Sequence, residues 1–368
     1  MSSLRTLSVG AAALGLAVAM ASSGHAADVT KAKLYPDKKG TVADFLPITK
    51  FCGTKPIKVA LSDGWGGNYW RHITRAEFED EASKCKNITE TRYTDGEFKP
   101  EKQIADIEGL IAQKFDVIVA FLDTGAAVLK ATREATAAGV AVVPYSVGDN
   151  FPGKIGVDYV DRVTESQSEV GQQFAEWLAR TLNGKGTVIM FGGTPGNPMT
   201  AAQVVGWKPT FAKYPGIKVL EADPVPTNWD PAMAQQKTAA LIAKYPEIDG
   251  IYSETTGPIR AFIAAGKPVP AYVGQSLMDL SCLAADNKFK MASMDAHTWM
   301  VRLALRKAVA AAQGIDEPEP SLITLPYTED NTSKDAKLAI KCDKSMPMDS
   351  IPSSMLSKDQ QVKALGGK

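Results

Sequence analysis

The chain has few of the groups on which catalysis at neutral pH usually depends. Its 368 residues include 3 histidines. One of them, His25, lies in the leading segment, which leaves His72 and His297. No His-x-x-x-His pair occurs, so a helix-borne metal site is unsupported. Cysteine is sparse at 4, and no Cys-x-x-Cys occurs, which speaks against zinc and thioredoxin-like redox chemistry. Neither sign of charge is in excess, with 41 Lys and Arg against 41 Asp and Glu. A balanced chain gives no electrostatic case for nucleic acid or an anionic membrane as partner. After Met20 no stretch is long and apolar enough for a transmembrane helix.

Three fragments begin like catalytic motifs and stop short. Gly274-Gln275-Ser276-Leu277-Met278 lacks the closing glycine of a nucleophile elbow. Gly184-Lys185-Gly186-Thr187 resembles part of a phosphate loop but precedes a strand instead of following one. Gly192-Gly193-Thr194-Pro195-Gly196-Asn197 follows a strand and opens a helix, yet carries no lysine. These absences point away from an enzyme, a cofactor site or a metal centre. They leave binding as the function to look for.

What is present starts with a targeting segment. Arg5 supplies a positive start, residues 9–20 a short apolar core, and Gly24-His25-Ala26 a small-x-small cleavage pattern. This predicts a signal peptide over residues 1–26 and an exported mature chain. An apolar core this short spans a bilayer poorly. No cysteine stands at the cleavage site to carry a lipid. In an oxidising compartment the even cysteine count suggests disulfides among Cys52, Cys85, Cys282 and Cys342, for which three pairings exist. Chain order favours Cys52–Cys85, because Cys52 precedes the first strand and Cys85 ends the helix that runs back antiparallel to it. Cys282 and Cys342 then pair and tie down the tail.

The length exceeds one typical core, so two lobes are expected. The first unit, residues 57–86, reads as a buried strand, a glycine-rich turn and an amphipathic helix. The apolar run Val59-Ala60-Leu61 suits a strand covered on both faces. The turn and helix start carry Trp65, Asn68, Trp70 and Arg71. Such turns lie at the carboxyl ends of strands, where open α/β folds bind ligands. The same residues also suit plain helix capping and core packing. Further strands over 88–93, 117–122 and 140–144 alternate with helices over 100–114 and 125–138. A second series runs from residue 164 to residue 313. This alternation means βαβ units and parallel sheets. Polar or aromatic residues recur just after the strands: Asp123, Ser146 and Asp149, Trp229, Glu254 and Thr255, Gln275 and Ser276, and Asp295. Carboxylates and amides suit ligand hydroxyls. Indole faces suit the C–H faces of a sugar ring.

Over residues 57–328 this order of segments resembles the ribose-binding type of periplasmic substrate-binding protein of sugar ABC transporters. The resemblance implies an α/β fold of two Rossmann-like lobes with parallel sheets, joined by a three-segment hinge near 157–159, 294–296 and 321–325. The implied division is an extension over 27–55, a first lobe over 56–157 and 295–320, and a second lobe over 158–294 and 321–368, with residues 329–368 as a tail over the second lobe. Asn68 and Trp70 match an asparagine and a stacking aromatic of the ribose binders, and Trp229 matches an aromatic of the second lobe. Gln203 falls near their sugar-binding arginine. Arg71 stands where they have a second aromatic, and Phe121 and Ser146 where they have an amide and an aspartate. Thr255, Ser276 and Asp295 replace an asparagine, an aspartate and a glutamine. The implied ligand set is therefore Asn68, Trp70, Arg71, Asp123, Ser146, Gln203, Trp229, Thr255, Gln275, Ser276 and Asp295, with changed pocket chemistry. Asp123 and Asp295 are the acids expected in the pocket. Trp70 and Trp229 are expected to face each other across it.

The implied function is a monomeric carrier that captures a carbohydrate or polyol and delivers it to an ABC permease, without cofactor, metal or nucleic acid. The alternatives are a periplasmic sensor presenting a sugar to a membrane receptor and an exported sugar-acting enzyme. A transcription repressor on the same fold is disfavoured by the leading segment and by the lack of an N-terminal DNA-binding helix pair.

Overall fold

The structure, a computed structural model, describes residues 28–148 and 151–367. The expected signal peptide and Asp149 lie outside the described residues.

The first lobe is built on four parallel strands in the order Ile88–Asp95, Ile57–Asp63, Val117–Phe121, Ala141–Pro144. The two central strands are the sequence's apolar runs, and Val59, Ala60, Leu61, Ile118 and Val119 are wholly buried. Helices on both faces leave no solvated side, so an unbroken apolar run is the stable pattern. The second lobe repeats this order. Lys185–Gly192 lies between Gly216–Val219 and Gly250–Tyr252, followed by Ala271–Gln275 and Met291–Met294, all parallel. Tyr327–Asp330 closes the far edge antiparallel, and the short Val225–Pro226 strand pairs beside Lys185–Gly192. In both lobes the first strand sits inside the second, which creates a switch point at the carboxyl ends. Those ends from the two sheets face one cleft.

Both disulfides join the expected partners, Cys52 to Cys85 with Cα atoms 5.4 Å apart and Cys282 to Cys342 at 4.7 Å. Among the described residues no cysteine is free.

One expected crossing between the lobes is not where the sequence pattern put it. Residues 157–159 are not a crossing. Ile155 bridges Tyr159 in a local turn, and Tyr159 packs with Phe151 in the first-lobe core. The chain crosses later, at Thr164–Glu165, which pairs in parallel with Leu322–Ile323. The extension adds a third strand here, because Lys39–Gly40 pairs with Leu322–Ile323 on its other side. The helix Met300–Gln313 fixes this region to the first lobe through buried ion pairs. Arg302 meets Glu77, Asp80 and Glu81. Arg306 meets Glu81 and Glu319, each at 2.9 Å. Lys307 meets Glu317 at 2.5 Å and Asp161 at 3.4 Å. Buried pairs of this kind fix geometry more than they add stability, but removing one partner leaves a costly unpaired charge.

The tail is the second difference. Only its first part lies on the second lobe, where Cys342 is bridged to the helix Met278–Asn287 and Met346 packs on Met278. Residues beyond 350 pass to the first lobe. Ile351 and Leu356 pack on Ile73 of the helix Tyr69–Ser83, and Gln360 donates to Asp80 of the same helix at 2.8 Å. Two isolated apolar residues in a polar stretch carry no periodicity that would disclose this docking.

Candidate functional site

A cavity of about 440 Å³, its mouth included, lies between the lobes. Asn68, Tyr69, Trp70, Arg71, Phe121 and Ser146 line it from the first lobe, and Met199, Trp229, Glu254 and Gln275 from the second. His297 closes it at the hinge. The mixture of apolar walls with few polar groups suits a small ligand. The lobes touch around it. Tyr69 Oη donates to the Glu254 carbonyl at 3.4 Å, and a Cβ on Gly148 would stand 3.1 Å from the Pro198 carbonyl oxygen. The arrangement is a closed one.

The first-lobe wall follows from the turn after the first strand. Asn68 caps the helix by accepting from the Arg71 amide at 2.9 Å, and so the capping reading and the cavity reading of this residue both hold. Trp70 donates its indole N–H to the Ala296 carbonyl at 2.7 Å. Its ring lies parallel to Tyr145 and edge-on to Phe121. Trp65 stays out of the cavity and stacks on Phe98 at 4.5 Å.

Arg71 is 4 % exposed. Its guanidinium lies 3.4 Å over the Phe121 ring. It pairs with Asp123 at 2.8 Å and with Asp63 at 3.3 Å. Tyr145 adds a hydrogen bond to Asp63 at 3.2 Å. Burial pushes the Asp63 carboxyl up to about 6 against the pull of Arg71. It pushes Asp123 up to about 7, again opposed by Arg71. Near neutral pH the triad therefore carries between zero and one net negative charge, and Arg71 has no unspent positive charge.

The second-lobe wall is held by hydrogen bonds around one carboxylate. Glu254 Oε2 accepts from the Trp229 indole N–H. Its Oε1 accepts from Tyr252 Oη at 2.6 Å and from Gln203 Nε2 at 3.0 Å. Asn228 and Trp229 are consecutive residues with φ of 52° and 55°. That left-handed pair is strained for side chains other than glycine, and it lays the indole over Gly193. A Cβ at Gly193 would collide with the ring, so glycine is required there by close approach.

At the hinge His297, with φ of 46°, is buried against Trp70. Its Nε2 lies 3.3 Å from Glu165 Oε1, and Ser146 Oγ lies 3.3 Å from Glu165 Oε2.

Of the sequence candidates, Asn68, Trp70, Arg71, Ser146, Trp229 and Gln275 come together on the cavity surface. The others are placed elsewhere. Asp123 is buried beside Gly64 and holds Arg71. Asp295 accepts from the His297 amide at 2.7 Å and the Trp299 indole at 3.1 Å, and burial raises its carboxyl above the usual range. It shapes the hinge turn. Gln203 stands behind Glu254. Thr255 and Ser276 are buried, Thr255 accepting from Tyr272 through its carbonyl and Ser276 donating its amide to the Met294 carbonyl at 2.6 Å. Tyr69, Phe121, Met199, Glu254 and His297 complete the lining without having been chosen. Glu254 had the same signal as Thr255, a polar residue just past a strand, but its side chain is the one that faces the cavity.

Among the described residues no cluster of His, Cys, Asp or Glu is placed to hold a metal ion, and no helix is long and apolar enough to cross a membrane.

Two α/β lobes closing on a cavity at their switch points define a hinged ligand-binding protein. Residues 59–316 match the periplasmic binding protein domain, and the chain belongs to that family. It is 24 % identical over 259 residues to a xylitol-binding protein of Mycolicibacterium smegmatis, covering 68 % of this chain and 72 % of that one. An ABC transporter solute binding protein from Thermobispora bispora has the same fold at 22 % identity, with a TM-score of 0.67 over 85 % of this chain and 97 % of that one. A solute binding protein from Agrobacterium vitis with bound allitol matches at 20 % identity, with a TM-score of 0.63 over 75 % of this chain and 96 % of that one.

Proposed function

We propose that this protein is an exported carrier that captures a neutral polyol or sugar between its lobes and hands it to an ABC permease. The observation that carries the reading is the charge state of the cavity. Among the described residues that line it, the one guanidinium is matched by two buried carboxylates, and the opposite wall offers the Glu254 carboxylate. A ligand carboxylate would meet Glu254 with no unspent cation to offset it. Hydroxyl groups would donate to Glu254 and accept from the amides of Asn68 and Gln275. The rings of Trp70, Trp229, Tyr69 and Phe121 would cover the ligand's C–H faces. The similarity to a xylitol-binding protein agrees with a polyol. Closure around the ligand, with contacts from both lobes, is the state a permease would recognise. Periplasmic export rests on the leading segment and on the family. The cavity needs no catalytic group for this role.

Calorimetric titration with xylitol and with its acid, xylonate, tests the reading. Xylitol or another neutral polyol should bind and xylonate should bind more weakly. Tighter binding of xylonate would overturn it.

A further inference from the structure

The last residues of the described chain reach both lobes with no slack between the two attachments. On the second lobe, Cys342 is bridged to Cys282. The Met278 amide donates to the Ser350 carbonyl and the Asp279 amide to the Met348 carbonyl, each at 2.9 Å. The next residue, Ile351, is wholly buried in a cluster with Ile73 of the first lobe. Ser354 Oγ and the Met355 amide then donate to Glu77 Oε1 at 2.5 and 2.8 Å. A single residue spans about 3.6 Å at most. The lobes therefore cannot separate at this point without breaking one attachment.

The same segment touches the cavity wall through one intermediary. Ser353 Oγ accepts from the Ala296 amide at 3.1 Å, and the Ala296 carbonyl accepts from the Trp70 indole at 2.7 Å. Ala296 lies on a hinge crossing, and the helix Tyr69–Ser83 under the strap starts with the cavity residues Tyr69, Trp70 and Arg71.

We propose that residues 350–365 form a fourth connection between the lobes, a strap that restrains opening and positions Trp70 through Ala296. Ser353, Ile351 and Leu356 are its positioning residues. They act on ligand affinity without touching ligand. The affinity part rests on the function proposed above, whereas the restraint on opening does not.

The test uses the full mature chain with Ile351→Asp and Leu356→Asp together, which puts two charges into the first-lobe cluster and leaves the disulfide intact. Without ligand, small-angle X-ray scattering should give a larger radius of gyration than wild type. Hydrogen exchange should quicken in residues 69–83. With xylitol as probe, affinity should fall about tenfold through faster dissociation. Ser353→Ala with Ser354→Ala keeps the apolar anchor and serves if the first variant does not fold. It should give the same changes at about threefold. Lys344→Gln, which removes only an exposed pair with Asp286, should change nothing. If wild type binds no polyol, the proposed function fails while the scattering still decides the strap. A radius and exchange pattern unchanged in the detached variants would overturn the proposal, because the opening axis would then run through the strap.

Discussion

The two walls of the cavity hold their key side chains by different means. On the first-lobe wall Arg71 is buried between two carboxylates and pressed on Phe121. On the second-lobe wall Glu254 is held by neutral donors, Trp229, Tyr252 and Gln203. Charges taken out of water must be matched, so the first wall is part of what keeps its lobe folded. Glu254 and Trp229 lie only partly buried at a loop and a strand end, so their loss exposes little that water cannot satisfy. The first wall should thus report on stability and the second on binding.

The largest effect should come from Arg71→Met. It leaves Asp63 and Asp123 buried without a cation and should cost about 3–5 kcal/mol in a urea denaturation. A loss below about 1 kcal/mol would mean that the acids are satisfied without Arg71, and the contrast between the walls would disappear. Next in size, Trp229→Ala should weaken ligand binding by about 2–3 kcal/mol while leaving unfolding free energy within about 1 kcal/mol of wild type. Glu254→Gln should cost about 1–2 kcal/mol of binding, since it removes a charged acceptor and keeps the shape. Titration calorimetry and urea melts on the same samples separate the two readouts. A large stability loss from Trp229→Ala would place that indole in the core after all.

The first wall also predicts a pH slope. The Asp123 carboxyl rises from its ordinary 3.8 to about 7 because of burial. Between those values the folded protein keeps a proton that the unfolded chain releases. Its contribution is therefore fully present below about pH 4 and is lost as pH rises through about 7. Asp63, raised to about 6, adds to the same trend at slightly lower pH. Asp123→Asn should flatten this part of the curve when urea midpoints are compared between pH 4.5 and 8. An unchanged slope would place the titration elsewhere.

The sheets were readable because a doubly covered strand needs an unbroken apolar run, and residues such as Val117-Ile118-Val119-Ala120-Phe121 supply one. The cysteine pairing was readable because strand and helix directions fix which cysteines share an end of the lobe. The side chains past the strand ends were less so. Glu254 and Thr255 are neighbours with the same polar signal, and only the backbone path decides which one faces the ligand space. Asp123 looked like a ligand group because nothing local shows that Arg71, 52 positions away, claims it. The hinge turn at Asp295–His297 rests on a left-handed residue, which histidine does not announce. The strap was hidden for a similar reason: Ile351 and Leu356 are five positions apart in a stretch with no helical or strand period.

The strand Lys39–Gly40 has a consequence for how the molecule assembles. It precedes both lobes in the chain, yet its partner Leu322–Ile323 follows nearly all of them. The neighbouring bond from the Lys33 amide to Asp316 closes across 283 positions. Contacts this distant in sequence form late, after the loop-closure entropy of the intervening chain has been overcome. Each lobe's sheet can collapse on local βαβ contacts while the small hinge sheet waits for both ends of the chain. A nascent molecule therefore has two formed halves before it has a defined angle between them, and competence to bind should lag the appearance of secondary structure during refolding.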